Sequence, residues 1–298
     1  MTDYSIPVDI FNPGQVFACL GFMEAADVLL GDAEGGFDWT DESNVRFVLH
    51  TANEKNPFEE VLEFLAKAKI VQYMPERCHI IQKVKGKKKN ISQKNSDERD
   101  MDSTENSLSS NTFPSMEGDA MALPCRLTSG TYAIEIGHWA DGSSREKFKL
   151  YAGNRSAIGI ACAMLNRINH LWKNHRNELV TNPFNVLTPL GGSFNFDPRG
   201  TWTSIDAGYS PNDVKHGVNA SPVVELLTAI GFEHARPFEY DKRKIRYGVW
   251  QRVVPPILAR TYLMGLDTDH TNKQFRFELA LSGKNKIVTY AKEENKHE

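Results

Sequence analysis

The stretch at residues 191–237 constrains the fold more than any other part of the chain, because turn and capping signals alternate in it with short apolar segments. It opens with a glycine pair and with Ser-Phe-Asn-Phe at 193–196, an alternation that predicts a strand. Asp-Pro-Arg-Gly at 197–200 predicts a turn, since Pro fixes φ and Gly accepts the positive φ that turns often need. Ser-Pro at 221–222 predicts the start of a helix, and Gly231 predicts its end. No nucleophile–base pair, metal cluster or phosphate loop occurs here, so the stretch predicts a scaffold.

Three blocks of the chain carry a resemblance to known proteins. They are the N-terminal IPVDIFNPGQVFACLGFMEAADVLL, the central HWADGSSREKFKLYAGNRSAIGIACAML, and the succession FNFDPRG, IDAGYSPN and ASPVVELLTAIGFEHARP. Together they resemble CRISPR-associated proteins of type I-U (I-G) loci, a large-subunit-like component of Cascade-type effector complexes. The blocks follow one another in this order along the chain, and none of them is a catalytic signature.

The resemblance implies a non-catalytic subunit of a type I CRISPR RNA-guided surveillance complex, with no enzymatic activity, no cofactor and no metal. Its implied partners are other effector subunits, crRNA and target DNA, and it leaves room for a part in recognising the protospacer-adjacent motif. In such systems base pairing supplies most of the sequence specificity, while protein contacts to the backbone and to a short duplex motif license binding. The residue assignments that follow rest on the sequence and not on the family.

Composition and charge limit how this chain can meet nucleic acid. The 298 residues are 40% hydrophobic and 24% charged, the balance of an ordinary folded protein, and the formal net charge is −3. Proteins that hold nucleic acid unaided are usually basic. We therefore expect nucleic-acid contacts to come from a local basic patch or to depend on partner subunits.

The four cysteines are widely separated and form no Cys-x-x-Cys pair, which argues against a zinc ribbon. Cys19 and Cys162 fall within apolar helical patterns and are predicted to lie in the core. The first residues lack the basic start of a signal peptide, and no apolar run is expected to reach the length of a membrane span. We expect a cytoplasmic protein with reduced thiols and no membrane partner.

The expected fold class is mixed α+β, with antiparallel hairpins and several packed helices in one compact unit that carries a disordered insertion. The chain divides into an N-terminal α/β part at 1–83, the insertion at 84–122, a central and C-terminal α+β part at 123–290 and a frayed tail at 291–298. Residues 37–39 and 45–50 are predicted to form a strand pair, and residues 131–139 and 148–151 are predicted to pair as a hairpin. A long helix is predicted from 155 to 178, and Asn-Pro at 12–13 and at 56–57 predicts the starts of two others.

The insertion is set apart by its composition, because Ser, Asn, Lys, Asp and Glu dominate residues 84–113. Such a segment buries too little apolar surface to offset its ordering entropy. Its front half is basic and includes Lys87, Lys88 and Lys89. It is either a solvated loop or a basic finger that touches phosphates and becomes ordered only in a complex.

The densest basic cluster lies at 242–246 and comprises Lys242, Arg243, Lys244 and Arg246. Its cations can neutralise phosphates, and the flanking Tyr240 and Tyr247 can stack on bases. Alternation along a strand predicts that 242, 244 and 246 share one face and that 243 and 245 share the other. The competing interpretation is a solvated edge strand that its charges protect from pairing.

Two further arginines lie at predicted turns, where a side chain can be held rigidly. Arg155 follows Gly-Asn at 153–154, and Arg199 lies in the Asp-Pro-Arg-Gly turn. Both are candidates for contacts to nucleic acid. Either can instead cap a helix or pair with a carboxylate.

Two other functions stay open. A metal-dependent nuclease would use Asp197, Asp206 or Asp267 with a histidine, but the nine histidines form no HExxH, HxH or similar motif. A purely structural adaptor subunit would contact only proteins, and its basic cluster would be dispensable for target binding.

Overall fold

The structure, a computed structural model, describes seven stretches of the chain, which are residues 4–72, 125–137, 147–151, 157–200, 219–265, 272–282 and 285–294. Within them the fold is mixed α+β, as the sequence predicts, with six helices and several small antiparallel sheets. The insertion predicted at 84–122 lies outside the described residues.

Two helices form the centre of the molecule, α1 (Pro13–Leu30) and α5 (Pro222–His234). Local signals start both, as predicted. Asn12 caps α1 by accepting a hydrogen bond from the backbone of Gln15, and Ser221 caps α5 by accepting one from Val224, each at 3.3 Å. Both helices are buried on nearly every side, so their apolar residues are core residues.

Glycines let these two helices touch backbone to backbone. A Cβ at Gly231 would lie 2.8 Å from the carbonyl oxygen of Phe17, closer than real Cβ atoms approach. Gly231 therefore serves close packing inside α5, and the prediction that it ends the helix is wrong. The helix continues to His234, and Ala235 follows as its C-cap.

Four shorter or more peripheral helices pack around this pair: α2 (Pro57–Lys67), α3 (Ala157–Asn174), α4 (Arg176–Thr181) and α6 (Pro256–Leu263). The single long helix predicted at 155–178 is thus two helices that meet at His175, which has a non-helical ψ of 33°. Cys19 is buried as predicted, but Cys162 is exposed. The buried stripe of α3 runs through its neighbour Ala161 instead.

Two three-stranded antiparallel sheets flank the helices. The first has β1 (Tyr4–Pro7), β2 (Glu34–Asp38) and β3 (Arg46–His50) in the order β1-β3-β2, which includes the strand pair predicted near 37–50. The second has β4 (Lys69–Gln72), β5 (Cys125–Ser129) and β6 (Tyr132–Ile136) in sequence order. The predicted hairpin between 131–139 and 148–151 is wrong, because 148–151 form no strand and, within the described residues, β6 pairs with β5.

The C-terminal sheet has β9 (Phe238–Asp241), β10 (Lys244–Val249), β11 (Lys273–Ser282), β12 (Asn285–Val288) and β13 (Lys292–Glu293). Its order is β12-β11-β10-β9, and β13 also pairs with β11. The chain that was predicted to fray from 291 is thus held by the sheet as far as β13. A small pair, β7 (Thr188–Pro189) and β8 (Asn219–Ala220), completes the described strands.

The strand predicted at 193–196 is absent from the structure, although Phe194 and Phe196 are both buried. Asn195 has a φ of 69°, which breaks the extended backbone that a strand needs. The backbone N–H of Phe196 donates to the Glu225 carboxylate at 3.0 Å instead of to a neighbouring strand. A side chain of α5 therefore takes the place of a strand partner.

One continuous hydrophobic core joins side chains from both the 1–83 and the 123–290 parts of the chain. Its main helix, α1, is long and apolar enough to cross a membrane by length and composition, contrary to the sequence expectation, but 78% of it is buried inside the fold. Core packing accounts for that composition.

Candidate nucleic-acid interface

The basic cluster at 242–246 forms the turn and the start of a hairpin between β9 and β10. Alternation holds within β10, where Ile245 is fully buried while Lys244 and Arg246 point to the other side of the sheet. Lys242 and Arg243 lie in the turn, and Arg243 has a positive φ of 61°. The prediction that Arg243 shares the face of Ile245 is therefore wrong, because the strand begins one residue later.

Strand pairing extends this cluster with two cations that are distant in sequence. In the register of the sheet Arg246 lies opposite Arg276, and Arg276 lies opposite Lys292. Directly paired residues project from the same face, and neighbouring strands are about 4.8 Å apart. Three cations thus cross three strands in one row. We call the exposed side that carries this row and Lys244 the sheet face.

Like charges opposite each other on a sheet are unfavourable unless other groups balance them. Glu294 does so in part, since its carboxylate lies 2.7 Å from Arg246 Nε. Lys244 pairs with Asp241 at 2.8 Å, which lowers the pKa of that carboxyl through the hydrogen bond from the ammonium. The Lys244–Asp241 pair is exposed and adds little stability, whereas the Arg246–Glu294 pair is partly buried, with the Glu294 side chain 15% exposed.

The sheet face contains an open groove of about 410 Å³. Three cations and one carboxylate line it, together with two tyrosines and two other side chains: Lys244, Arg276, Lys292, Glu278, Tyr240, Tyr290, Phe277, Thr289. The groove is therefore locally positive in a chain whose net charge is negative. A positively charged groove attracts the phosphates of a nucleic-acid backbone.

The two tyrosines of the groove are exposed, Tyr240 by 37% and Tyr290 by 51%. The guanidinium of Arg246 lies over the Tyr240 ring, 5.0 Å from its centroid. Tyr247, which the sequence also offered as a stacking residue, is fully buried and donates its hydroxyl to the Ile10 carbonyl at 2.7 Å. That part of the prediction is wrong, because the strand alternation turns Tyr247 into the core.

Arg199 is held inside the scaffold. Its guanidinium lies 2.7 Å from Asp197 Oδ2 and also donates to the carbonyl of Phe184 and to the side chain of Asn185. The carboxylate pairing left open by the sequence is the arrangement found here. Arg155, Lys87, Lys88 and Lys89 lie outside the described residues.

Asp197 is fully buried and receives, besides Arg199, the backbone N–H of Ser221 and the side-chain amide of Asn12. Its oxygens are thus occupied by donors, which is a structural role. Asp206 and Asp267 lie outside the described residues. In the described part of the chain no group of three His, Cys, Asp or Glu side chains is placed to hold a metal ion.

Glu225 lies beside Asp197, fully buried at the start of α5. Its Oε1 accepts the backbone N–H groups of Phe196 and Asp197 at 3.0 and 2.9 Å. Burial is the main cause that raises the pKa of Glu225 to about 8, and the charge of Asp197 adds to it. Glu225 is therefore largely protonated at neutral pH. The two carboxyls join α1, α5 and the loop at 194–200.

A second groove, of about 380 Å³, has the opposite electrostatic character. Asp27, Asp32 and Glu34 line it together with His50. Its acidic wall repels phosphate. Of these two grooves, the one in the sheet face is therefore the better candidate for a nucleic-acid interface.

The sequence alone pointed to Lys244 and Arg246 but not to Arg276 and Lys292. Neither of these two lies in a basic run, and Lys292 is followed by two glutamates. A period-two pattern at 275–281 marks Arg276 as outward-facing, but only the strand pairing brings it opposite Arg246. Comparisons with protein-family models, with curated proteins and with solved structures find no match to this chain.

Proposed function

We propose that this chain is a non-catalytic subunit of a type I CRISPR RNA-guided complex and that its sheet face contacts the crRNA or the target DNA. The observation that carries the proposal is the row of Arg246, Arg276 and Lys292 across three paired strands. The resemblance of the three sequence blocks to type I-U (I-G) proteins supplies the biological setting.

Phosphate binding explains why a fold would keep three cations in one row. Each phosphate contact releases condensed counterions, which favours association most at low salt. The net charge of −3 makes unaided binding weak, so the sheet face would act together with partner subunits. Base pairing between guide and target would supply the sequence specificity.

A structural adaptor is the second candidate, and the ion pairs of the sheet face favour it. Lys244 and Arg246 each have a carboxylate within 3 Å. An adaptor would use these charges for its own stability and solubility, or for contacts to another protein. It predicts that charge reversal on the sheet face leaves target binding unchanged.

The test is co-purification from cells. The tagged chain is expressed with its neighbouring genes and a guide RNA, and the eluate is examined for a large RNA-containing complex. The proposal predicts stable co-elution and loss of target-DNA binding when this chain alone is omitted. A chain that stays out of the complex, at salt low enough to preserve electrostatic contacts, overturns it.

A further inference from the structure

We infer that the groove of the sheet face takes single-stranded nucleic acid, with a base stacked on Tyr290 and the backbone against Arg276 and Lys292. The inference rests on the proposed function. It adds that the ligand is single-stranded and that Tyr290 stacks on one of its bases. It follows from the presence of two exposed tyrosines and a row of cations in one groove.

Tyr290 is the better of the two stacking platforms. It is exposed by 51%, it lines the same groove as Arg276 and Lys292, and it follows β12 at a fixed point of the sheet. Its neighbour Thr289 is tied to the next strand by a 2.9 Å hydrogen bond to the Glu278 carbonyl. The backbone that carries Tyr290 is therefore held in place before any ligand arrives.

Tyr240 offers a second, composite platform. The Arg246 guanidinium already covers one side of its ring; Arg246 is paired in β10, and Tyr240 lies in β9 where the register between the two strands shifts. Arginine planes and aromatic rings both stack on bases. A nucleic-acid strand with one base stacked on Tyr290 would continue across the groove toward Tyr240 and Arg246.

Charge sets the path of the backbone. Arg276 in β11 and Lys292 in β13 lie opposite each other, whereas Glu278 lies in β11 two residues after Arg276. Phosphates would avoid Glu278 and lie near the two cations. The bases would then face the tyrosines, because base and phosphate leave the sugar in different directions.

A duplex cannot use this arrangement. Its bases are stacked on each other and paired, so only their edges reach the grooves, and reading them takes a helix or ribbon that protrudes into the major groove. The tyrosine rings line a recess in a sheet. Unstacked bases of a single strand can lie flat on such rings. Each base stack contributes binding free energy, and replacing the aromatic residue by an aliphatic one removes that contribution.

The experiment uses the full-length chain and end-labelled oligonucleotides in a fluorescence anisotropy titration at low salt. One probe is a 15-nucleotide oligo-dT strand, and the other is a 15-base-pair duplex. The inference predicts tighter binding of the single strand. Tyr290→Leu should weaken that binding roughly 5- to 150-fold, the effect of losing one base stack.

Two variants control this result. Tyr290→Phe keeps the ring and should bind as the wild type does. Tyr132→Leu removes an equally exposed tyrosine from β6, outside the sheet face, and should leave binding unchanged. Circular dichroism confirms that each variant is folded.

Three outcomes separate the claims. Duplex binding as tight as single-strand binding, or single-strand binding unaffected by Tyr290→Leu, overturns the inference and leaves the proposed function standing. Binding of neither probe, by the chain alone and by the purified complex, overturns the proposed function as well.

Discussion

Gly21 of α1 lies against the backbone of Leu227 in α5, so closely that a Cβ at residue 21 would be 1.9 Å from the Leu227 carbonyl oxygen. This contact sets the distance between the two central helices. The C-terminal sheet packs on α1, since the rings of Phe17 in α1 and Tyr247 in β10 lie 5.4 Å apart. The sheet is therefore connected through the core to the helix that makes this close contact.

Gly21→Ala should lower the free energy of unfolding by about 1–3 kcal/mol, the usual cost of overpacking, because the helices must separate to admit the methyl group. Urea unfolding followed by circular dichroism measures the change. Gly191→Ala is the control, since nothing lies within 4 Å of the added Cβ. Equal stability of the two variants would show that the α1–α5 contact is looser than described.

Ionisation of the buried Glu225 carboxyl should make the folded protein less stable as pH rises. Burial raises the pKa of Glu225 to about 8 in the folded state, above its ordinary value of 4.5, so the folded state binds the proton more tightly. The free energy of unfolding then falls as pH increases from about 4.5 to about 8.

Glu225→Gln tests this dependence, because the amide keeps the Oε1 acceptor for Phe196 and Asp197 but does not ionise. Thermal unfolding at pH 6 and pH 9 is compared for the two proteins. The wild type should lose stability relative to the Gln variant at pH 9. A difference that is the same at both pH values would mean that Glu225 does not titrate in this range.

Arg199→Met should destabilise the fold by about 3–5 kcal/mol, the cost of removing one partner from a buried ion pair. Asp197 is fully buried, and the Arg199 side chain is 17% exposed. Arg126→Met, which breaks an ion pair between two exposed side chains of β5 and β6, is the matched control and should cost about 1 kcal/mol or less. A variant Arg199→Met that stays stable but binds nucleic acid more weakly would mean that Arg199 contacts nucleic acid.

Each phosphate contact should be visible in the salt dependence of binding. Arg276→Gln and Lys292→Gln should each reduce the slope of log K against log salt by about 0.7 for a single strand. Lys67→Gln on α2 removes an exposed lysine away from the sheet face and should leave the slope unchanged. Slopes that are equal in all three variants would place the phosphates elsewhere.

Local signals predicted the helix starts because capping is decided within a few residues. Asn-Pro at 12–13, Asn-Pro at 56–57 and Ser-Pro at 221–222 each begin a helix in the structure. The same logic failed at Gly231, where packing against α1 and not chain termination requires the glycine. A glycine has the same sequence signal in both roles.

Non-local contacts decided the features that the sequence did not reveal. The segment at 193–196 has the alternation of a strand, but the buried carboxyl of Glu225 accepts the backbone N–H groups of Phe196 and Asp197. The row of Arg246, Arg276 and Lys292 arises from strand register. Register depends on which strands meet, and local patterns do not encode that choice.

The most direct test of the account is target binding by the reconstituted complex with Arg276→Glu and Lys292→Glu together. The matched control is Lys55→Glu with Lys67→Glu, which changes the net charge equally at exposed sites near α2. Both complexes should assemble, and target-DNA affinity should fall about tenfold or more in the sheet-face variant alone. Unchanged affinity in an intact complex would contradict a nucleic-acid role for the sheet face and would favour the structural adaptor.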